Sequence, residues 1–321
     1  MAVATEIPPH APQVGRARRL LGDFHVTGLF WYRFHRWGMA TVPSWTYGPI
    51  IAVFTTLFFF TIFNIRRAIA SNLTAVLGPA GFFARQARMY RTMWAFAWCL
   101  SERYERLTTS RTFEVDASGL EHWREACASG QGLVMVSAHL GAYEIGSMIP
   151  AIKDGLRVHL VREPEVDPRA QEFIRESVAS VENDRYTMHF QSDDPLQGVV
   201  FLEALRRGEI VAMQGDRPRS GAKGIPGHLF GRPFTFPAGP AALARTAEVP
   251  ILPVFALRRG RRRYHVVFSA PITVARTADR DRDLACAAEK IGAEIERAIR
   301  LAPHQWFCFR ELWPDSAASS R

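Results

Sequence analysis

Lysine is almost absent from this chain of 321 residues. Only Lys153, Lys223 and Lys290 occur, so nearly all of the 40 basic residues are arginine, and the formal net charge is +9. Guanidinium groups bind phosphates and carboxylates, and the charge therefore favours an anionic partner, although an arginine-rich genome would give the same bias. Nucleic acid, an acidic protein and an anionic membrane all fit this charge, and composition does not choose among them.

Cysteine is also scarce, with Cys99, Cys127, Cys286 and Cys308 as its four occurrences. None belongs to a CxxC pair or stands at zinc-finger spacing beside histidines, so we expect free thiols and no metal site. A disulfide-stapled secreted domain is not expected at this size. The sequence also has no GxGxxG after a strand, no P-loop, no HExxH and no GxSxG elbow. These absences exclude the commonest cofactor-dependent functions, and no cofactor is predicted.

Charge of either sign is missing from one long segment. The 29 residues between Arg36 and Arg66 contain no Asp, Glu, Lys, Arg or His. As a helix, Trp45–Ile65 would be roughly 30 Å long at about 1.5 Å per residue, which matches the hydrocarbon core of a bilayer. We therefore expect a membrane helix, which spans the bilayer or, because a Gly-Pro pair interrupts it, lies in the interface. A buried core helix is the alternative.

After residue 110, short apolar runs alternate with helical segments. The predicted strands are Gly132–Ser137, Leu156–Val161, Tyr186–Phe190, Glu209–Met213, Ile251–Leu257 and Tyr264–Ser269. The predicted helices are Gly119–Ala128, Ala142–Ile152, Pro168–Val181, Pro195–Arg207, Gly239–Thr246 and Asp279–Leu301. This alternation, with continuously apolar strands, predicts an α/β fold with a mixed, largely buried sheet flanked by helices.

The chain is expected to divide into a basic N-terminal segment (1–44), the membrane helix (45–65) and an α/β domain (66–315). Within that domain, residues 66–107 are predicted to be helical and residues 111–315 to form the α/β core. Its last two strands flank an arginine hairpin, which consists of Arg258, Arg259, Arg261, Arg262 and Arg263. Five arginines at one turn would suit an acidic donor protein or lipid headgroups, and a solvated basic turn is the alternative.

The stretch VMVSAHLGAYEIG, residues 134–146, carries the candidate chemistry. A buried strand ends near Ser137, His139 follows, and Glu144 opens a helix, at the end of a strand where open α/β sheets place their sites. A carboxylate bonded to one imidazole nitrogen leaves the other nitrogen as a general base. No Ser or Cys nucleophile adjoins the pair, so its simplest use is to activate a substrate hydroxyl. A His and a Glu at this spacing also occur by chance.

The segment from His139 to Glu144 resembles the HxGxWE box of the lipid A biosynthesis (lauroyl/myristoyl) acyltransferases, a branch of the lysophospholipid acyltransferase superfamily. Further matches follow in the family's order over roughly residues 30–313: Arg66-Arg67 with Ser71-Asn72-Leu73, Val161-Arg162, Gln214-Gly215-Asp216-Arg217, Phe230-Gly231 with Thr235 and Gly239, and Pro303 with Gln305-Trp306. The chain departs from the pattern at Ala142-Tyr143, where the family has Asn-Trp, and at Arg217, where Gln is usual. These departures put the acceptor in doubt more than the reaction.

The resemblance implies a membrane-associated enzyme that moves a fatty acyl chain from a thioester to a hydroxyl of a lipid A precursor or similar glycolipid. The donor would be acyl carrier protein or acyl-CoA, and His139 would act as general base with Glu144 as its partner. The resemblance implies that substrate is bound by Arg162, Gln214, Asp216 and Arg217. It also implies an anionic membrane surface as partner, at the bacterial inner membrane with the catalytic domain on the cytoplasmic side. Nucleic acid is not expected.

Other functions stay open from the sequence. The acceptor is a lysophospholipid or another membrane lipid in one alternative. In another, the protein is an inactive membrane-anchored lipid-binding protein in which His139 and Glu144 are structural. A linked His–Glu pair beside a hydrophobic groove would count against inactivity. A hydrolase is the last alternative, since water can replace the acceptor.

Overall fold

A computed structural model describes residues 29–109, 111–143, 155–165, 167–179, 186–192, 194, 196–217 and 224–313. The described chain begins with helices: α1 (Leu29–Thr41), a short 3₁₀ turn (Ser44–Thr46), α2 (Tyr47–Thr61), α3 (Phe63–Leu77) and α4 (Phe82–Thr108). The break between α3 and α4 falls at Gly78, whose φ of +76° suits glycine. Helix α4 is amphipathic and packs against α1, α2 and α3.

Strands and helices alternate through the rest of the described chain. The strands are β1 (Glu114–Ser118), β2 (Leu133–Ser137), β3 (Val158–Arg162), β4 (Tyr186–Phe190), β5 (Ile210–Gln214), β6 (Gly224–Leu229), β7 (Arg232–Pro237), β8 (Ile251–Gly260) and β9 (Arg263–Phe268). The helices are α5 (Leu120–Ala128), α6 (Pro168–Ala179), α7 (Leu196–Arg206), α8 (Ala238–Ala247) and α9 (Arg280–Leu301), followed by a 3₁₀ turn at Pro303–Gln305.

The main sheet has the strand order β1-β9-β8-β2-β5-β3-β4. Its described neighbours are parallel except for the antiparallel β8–β9 pair. Strands β6 and β7 form a separate antiparallel hairpin. The predicted mixed α/β fold with a sheet flanked by helices is therefore confirmed.

The central strand β2 shows why the buried strands of this sheet have continuously apolar sequences. Val134 and Val136 face a core formed with α7, α8 and α9, whereas Leu133 and Met135 face a second core on the other side of the sheet. All four side chains are buried. Because neighbouring residues of a strand point to opposite faces, a strand covered on both sides is apolar at every position.

The predicted strands lie within three residues of observed ones, and the elements that the sequence did not predict are less apolar. Strand β1 is an edge strand with the sequence EVDAS and mostly exposed residues. The hairpin of β6 and β7 is rich in glycine and proline, a composition typical of loops rather than strands. Most of the predicted helix Ala142–Ile152 lies outside the described residues.

The charge-free segment forms a shorter helix than we expected. Helix α2 ends at Thr61 and Ile62 leaves the helical region, with φ −105° and ψ 77°, before α3 begins at Phe63. Within the described residues, one segment, Ser44–Thr61, is long and apolar enough to cross a membrane, with a mean hydropathy of 1.2 over 18 residues. At about 1.5 Å per residue it is about 27 Å long. This match to a membrane span is one of length and composition, and 22% of the segment is buried within the protein.

Candidate functional site

Two neighbouring strands bring the central residues of the site together. Strand β2 ends at Ser137 and His139 lies two residues beyond it, while β5 ends at Gln214 and Asp216 lies two residues beyond. The two strands are parallel neighbours with Ser137 opposite Gln214. His139 and Asp216, 77 residues apart in sequence, therefore emerge at the same edge of the sheet.

Asp216 holds His139 through both carboxylate oxygens. Oδ1 lies 2.7 Å from the imidazole Nδ1, and Oδ2 accepts from the backbone N–H of His139 at 3.0 Å. Oδ2 also accepts from the indole Nε1 of Trp306 at 3.1 Å. The carboxyl group is completely buried. These contacts fix both the position and the rotation of the imidazole ring.

The carboxyl group of Asp216 is ionised in this environment. Burial on its own would raise the pKa of Asp216, but the contact with the imidazole of His139, the charge of Arg217 and the indole N–H of Trp306 lower that pKa to about 2. An ionised carboxylate only accepts hydrogen bonds, so Nδ1 of His139 carries a proton and donates it.

The second ring nitrogen contacts Arg217. Its Nη2 lies 2.7 Å from Nε2 of His139. A guanidinium group only donates, so Nε2 is the acceptor and bears a lone pair. The imidazole is thus neutral, with its proton on Nδ1 and its basic nitrogen directed away from Asp216. This is the arrangement that a general base requires.

His139 lines a large cavity of about 840 Å³. Most of its wall is apolar and comes from α1, α2 and α4, including Phe34, Ile51, Phe54, Phe58 and Leu100, and from the sheet face that carries Met135 and Val254. This size lies within the range of about 300–1,000 Å³ that is usual for small-molecule sites. The cavity can therefore accept a long apolar group with one end near His139.

Charged side chains line the same cavity near the strand ends. Arg162 ends β3, Gln214 ends β5, and both contribute to the wall with Arg217. Nη2 of Arg162 lies 3.6 Å from Oε1 of Glu165, and Nη2 of Arg217 lies 3.9 Å from Oε2 of Glu163. The cavity thus joins an apolar chamber to a polar end that contains the base.

Backbone hydrogen bonds from the C-terminal segment of the described chain hold the turn that carries His139. The backbone carbonyl of His139 accepts from the N–H of Phe307 at 2.7 Å, and the N–H of Gly141 donates to the carbonyl of Gln305 at 2.9 Å. Gly141 has a φ of +60°, and a Cβ there would lie 2.2 Å from the carbonyl oxygen of Ala256. Glycine is therefore required at this position of the turn.

Residues 22–314 match the family described as Bacterial lipid A biosynthesis acyltransferase. The chain belongs to this family. Two curated relatives, the phosphatidylinositol mannoside acyltransferases of Mycobacterium tuberculosis strains CDC 1551/Oshkosh and H37Rv, are each 23% identical over 258 residues, or 78% of this chain and 78% of theirs. A crystal structure of the 1-acyl-sn-glycerophosphate acyltransferase from Thermotoga maritima aligns with a TM-score of 0.33 and 15% identity, covering 76% of this chain and 95% of that one.

The structure of this acyltransferase brings together most of the side chains that the sequence suggested. His139, Asp216 and Arg217 are in direct contact, and Arg162 and Gln214 line the same cavity. Glu144 lies outside the described residues. The sequence alone does not pair Asp216 with His139, because the pairing depends on the strand order. Within the described ranges, no three His, Cys, Asp or Glu side chains come together as metal ligands would.

The arginine hairpin of this acyltransferase is used partly for internal ion pairs. Arg258 forms a bidentate pair with Glu102 of α4, with both N–O distances 2.9 Å, and its guanidinium lies 4.8 Å from the ring centre of Trp98. Arg262 pairs in the same way with Glu105, at 3.1 and 2.5 Å. These two arginines attach β8 and the turn that follows it to α4. The exposed members of the hairpin are Arg259, Arg261 and Arg263.

Proposed function

We propose that this acyltransferase moves a fatty acyl chain from an acyl thioester to a sugar hydroxyl of an anionic membrane glycolipid, with His139 as general base. One observation carries the proposal. A neutral, firmly oriented imidazole, with its lone pair on Nε2, stands at the polar end of an apolar cavity of about 840 Å³. Membership of the acyltransferase family supports the reaction type.

In the proposed reaction, Nε2 of His139 takes the proton of the acceptor hydroxyl as its oxygen attacks the thioester carbonyl carbon. A C–O bond forms, the C–S bond breaks, and the leaving thiolate receives the proton from the imidazolium. No acyl-enzyme is formed. Asp216, fixed on Nδ1, stabilises the transient imidazolium, which is the part that a buried carboxylate plays in other His-dependent acyl transfers.

Two polar side chains of the cavity wall can bind the negative charge of the acceptor phosphate or of the oxyanion that forms in this step. The guanidinium of Arg162 would bind a phosphate of the acceptor or the oxyanion that develops on the thioester carbonyl. Gln214 would donate to the same groups from the end of β5. The role of Glu144 as imidazole partner stays a prediction, since Glu144 lies outside the described residues. Among the described residues, Asp216 occupies Nδ1.

The proposed acceptor is based on chemical groups that are common to the lipids in the names of the family and of the curated relatives. The family is named after lipid A, and the curated relatives are named after a phosphatidylinositol mannoside. Both kinds of molecule carry sugar hydroxyls and phosphate on a lipid. An acceptor with a phosphate also suits a cavity end that is lined by Arg162 and Arg217.

Helix α2 supports a place for the enzyme at the membrane surface. Val53, Leu57 and Phe60 form an outer face, with 67%, 52% and 64% of these residues exposed. Residues at this spacing form one stripe of a helix, and an exposed apolar stripe of this kind marks an interaction surface. The proposed location is the cytoplasmic face of a bacterial inner membrane, where Arg259, Arg261 and Arg263 would meet an acidic acyl carrier protein or anionic lipid headgroups.

The decisive experiment offers the purified protein in detergent both thioester donors and several acceptors. Acyl carrier protein and coenzyme A thioesters of several chain lengths are combined with a lipid A precursor, a phosphatidylinositol mannoside and a lysophospholipid, and products are identified by mass spectrometry. We expect acylation of a glycolipid, and a loss of about 10²–10⁴-fold in His139→Ala. Acylation of the lysophospholipid alone would reject a glycolipid as the acceptor. Full activity of His139→Ala would reject His139 as the general base.

A further inference from the structure

The contact between Arg217 and His139 has a consequence for the timing of catalysis. Nη2 of Arg217 lies 2.7 Å from Nε2, which is the nitrogen that must accept the proton of the acceptor. Because the other ring nitrogen is held by Asp216, the imidazole has no second basic position. While Arg217 stays in this place, neither an alcohol nor water can use His139 as a base.

Arg217 is nevertheless poorly satisfied where it lies. Its Nε is buried and has no hydrogen-bond partner in the part of the chain that the structure describes. Oε2 of Glu163 lies 3.9 Å from Nη2 of Arg217, which is too far for a hydrogen bond. The side chain of Glu163 is also 41% exposed, so water screens its charge. A buried guanidinium N–H without a partner costs free energy and would bind a doubly accepting anion such as a phosphate well.

We propose that Arg217 caps the base in the empty enzyme and that a phosphate group of the acceptor draws it away. This inference rests on the proposed function and specifies the regulation of the same site. The acceptor phosphate takes over both Nη2 and Nε of Arg217, and Nε2 becomes free when an acceptor hydroxyl is at hand. Without acceptor, the cap prevents His139 from activating water, so the thioester is not hydrolysed to free fatty acid and thiol.

The position of Arg217 in the fold fits this role. It follows Asp216 directly, so one short segment after β5 provides both the carboxylate that orients the ring and the guanidinium that covers it. Its side chain also lines the cavity that the acceptor must enter.

The test measures thioester hydrolysis and acyl transfer separately, with purified full-length protein in a neutral detergent. Without acceptor, Arg217→Gln should hydrolyse the thioester about tenfold faster than the wild type, since water then reaches the base. With the glycolipid acceptor, the same variant should lose its preference for the phosphorylated form over a dephosphorylated one. The hydrolysis rate of Arg217→Lys should lie between those of the wild type and Arg217→Gln. The control is Arg276→Gln, which should behave as wild type because Arg276 is exposed and does not line the cavity.

Inorganic phosphate provides an arm without lipid. Phosphate at millimolar concentration should accelerate thioester hydrolysis by the wild type and leave Arg217→Gln unchanged, whereas chloride at equal ionic strength should accelerate neither. Acceleration by phosphate would show that the anion alone releases the cap. If phosphate leaves wild-type hydrolysis unchanged and the wild type shows no preference for the phosphorylated over the dephosphorylated glycolipid, release of Arg217 by a phosphate group is refuted.

The cap is refuted if Arg217→Gln hydrolyses no faster than wild type and merely transfers more slowly, because Arg217 then only binds substrate. Failure of the proposed function has a different signature. In that case the wild type acylates no lipid in any arm, whatever the rate of hydrolysis. A His139→Ala, Arg217→Gln double variant should show no accelerated hydrolysis, which assigns the gain to the uncovered imidazole.

Discussion

At the scale of single residues, the protonation of His139 is set by two neighbours with fixed roles. Asp216 accepts at Nδ1 because it is ionised, and Arg217 donates at Nε2 because a guanidinium has no acceptor. The pair admits one tautomer, in which the basic nitrogen faces the cavity. An imidazole without these partners would exchange between tautomers and rotate about its χ angles.

Replacing the carboxylate tests this assignment. In Asp216→Asn an amide N–H can face Nδ1, which favours the wrong tautomer, and we expect kcat to fall about 10³–10⁴-fold with little change in KM. Glu144→Gln should cost about tenfold or less, because Asp216 already holds the ring. Steady-state kinetics of both variants decide the matter. A larger loss in Glu144→Gln than in Asp216→Asn would make Glu144 the working partner.

The same substitution changes the pH dependence of stability. The folded pKa of Asp216, about 2, lies below the value of about 3.9 in an unfolded chain. Its ionised form therefore stabilises the fold above about pH 4, and this contribution, about 2–3 kcal/mol, is lost as the pH falls towards 2. Urea unfolding between pH 6 and pH 3 should show a flatter pH dependence for Asp216→Asn. Equal slopes for variant and wild type would contradict a lowered pKa.

At the scale of elements, the arginine hairpin divides into two groups by register. Arg258 and Arg262 point to α4 and pair with Glu102 and Glu105, which are buried. Arg259 lies between them and is exposed. Alternation along β8 turns Arg258 and Arg259 to opposite sides, whereas Arg262 lies in the turn between β8 and β9, where its φ is +55°.

Variants of two neighbouring arginines should separate attachment from docking. Arg258→Gln leaves the buried Glu102 with an unpaired charge and should lower the free energy of unfolding by about 3 kcal/mol. Arg259→Gln should change it by less than about 0.5 kcal/mol. Denaturation in detergent provides the measurement. If carrier protein docks here, Arg259→Glu should raise the KM for an acyl carrier protein donor, more at low salt than at high salt.

The sequence was sufficient for elements that have strong local patterns. Strands β2, β5 and β8 are continuous apolar runs because both of their faces are buried, and α9 has a clear amphipathic period. The His139–Asp216 pair was not predictable in this way, because it requires β2 and β5 to be neighbours in the sheet. The ion pairs from the hairpin to α4 span more than 150 residues and have no local signal either.

At the scale of the whole molecule, α2 separates the cavity from the outside. Ile51, Phe54 and Phe58 line the cavity, while Val53, Leu57 and Phe60 form the outer face. One helix therefore has an apolar stripe towards the cavity and another towards the surroundings. This explains why the segment is free of charge on every side, which as a sequence pattern indicates a membrane helix.

Substitutions on the two faces of α2 should have separate effects. Phe60→Asp places a charge on the outer face, at a cost of about 2.5–3.5 kcal/mol if that position enters the hydrocarbon, so binding to anionic phospholipid vesicles should fall at least tenfold. Phe58→Trp narrows the cavity and should shift donor preference towards shorter acyl chains, with vesicle binding unchanged. Vesicle sedimentation and product mass spectra measure the two effects. Undiminished vesicle binding of Phe60→Asp would exclude the outer face from the membrane, because a carboxylate cannot enter hydrocarbon without this cost.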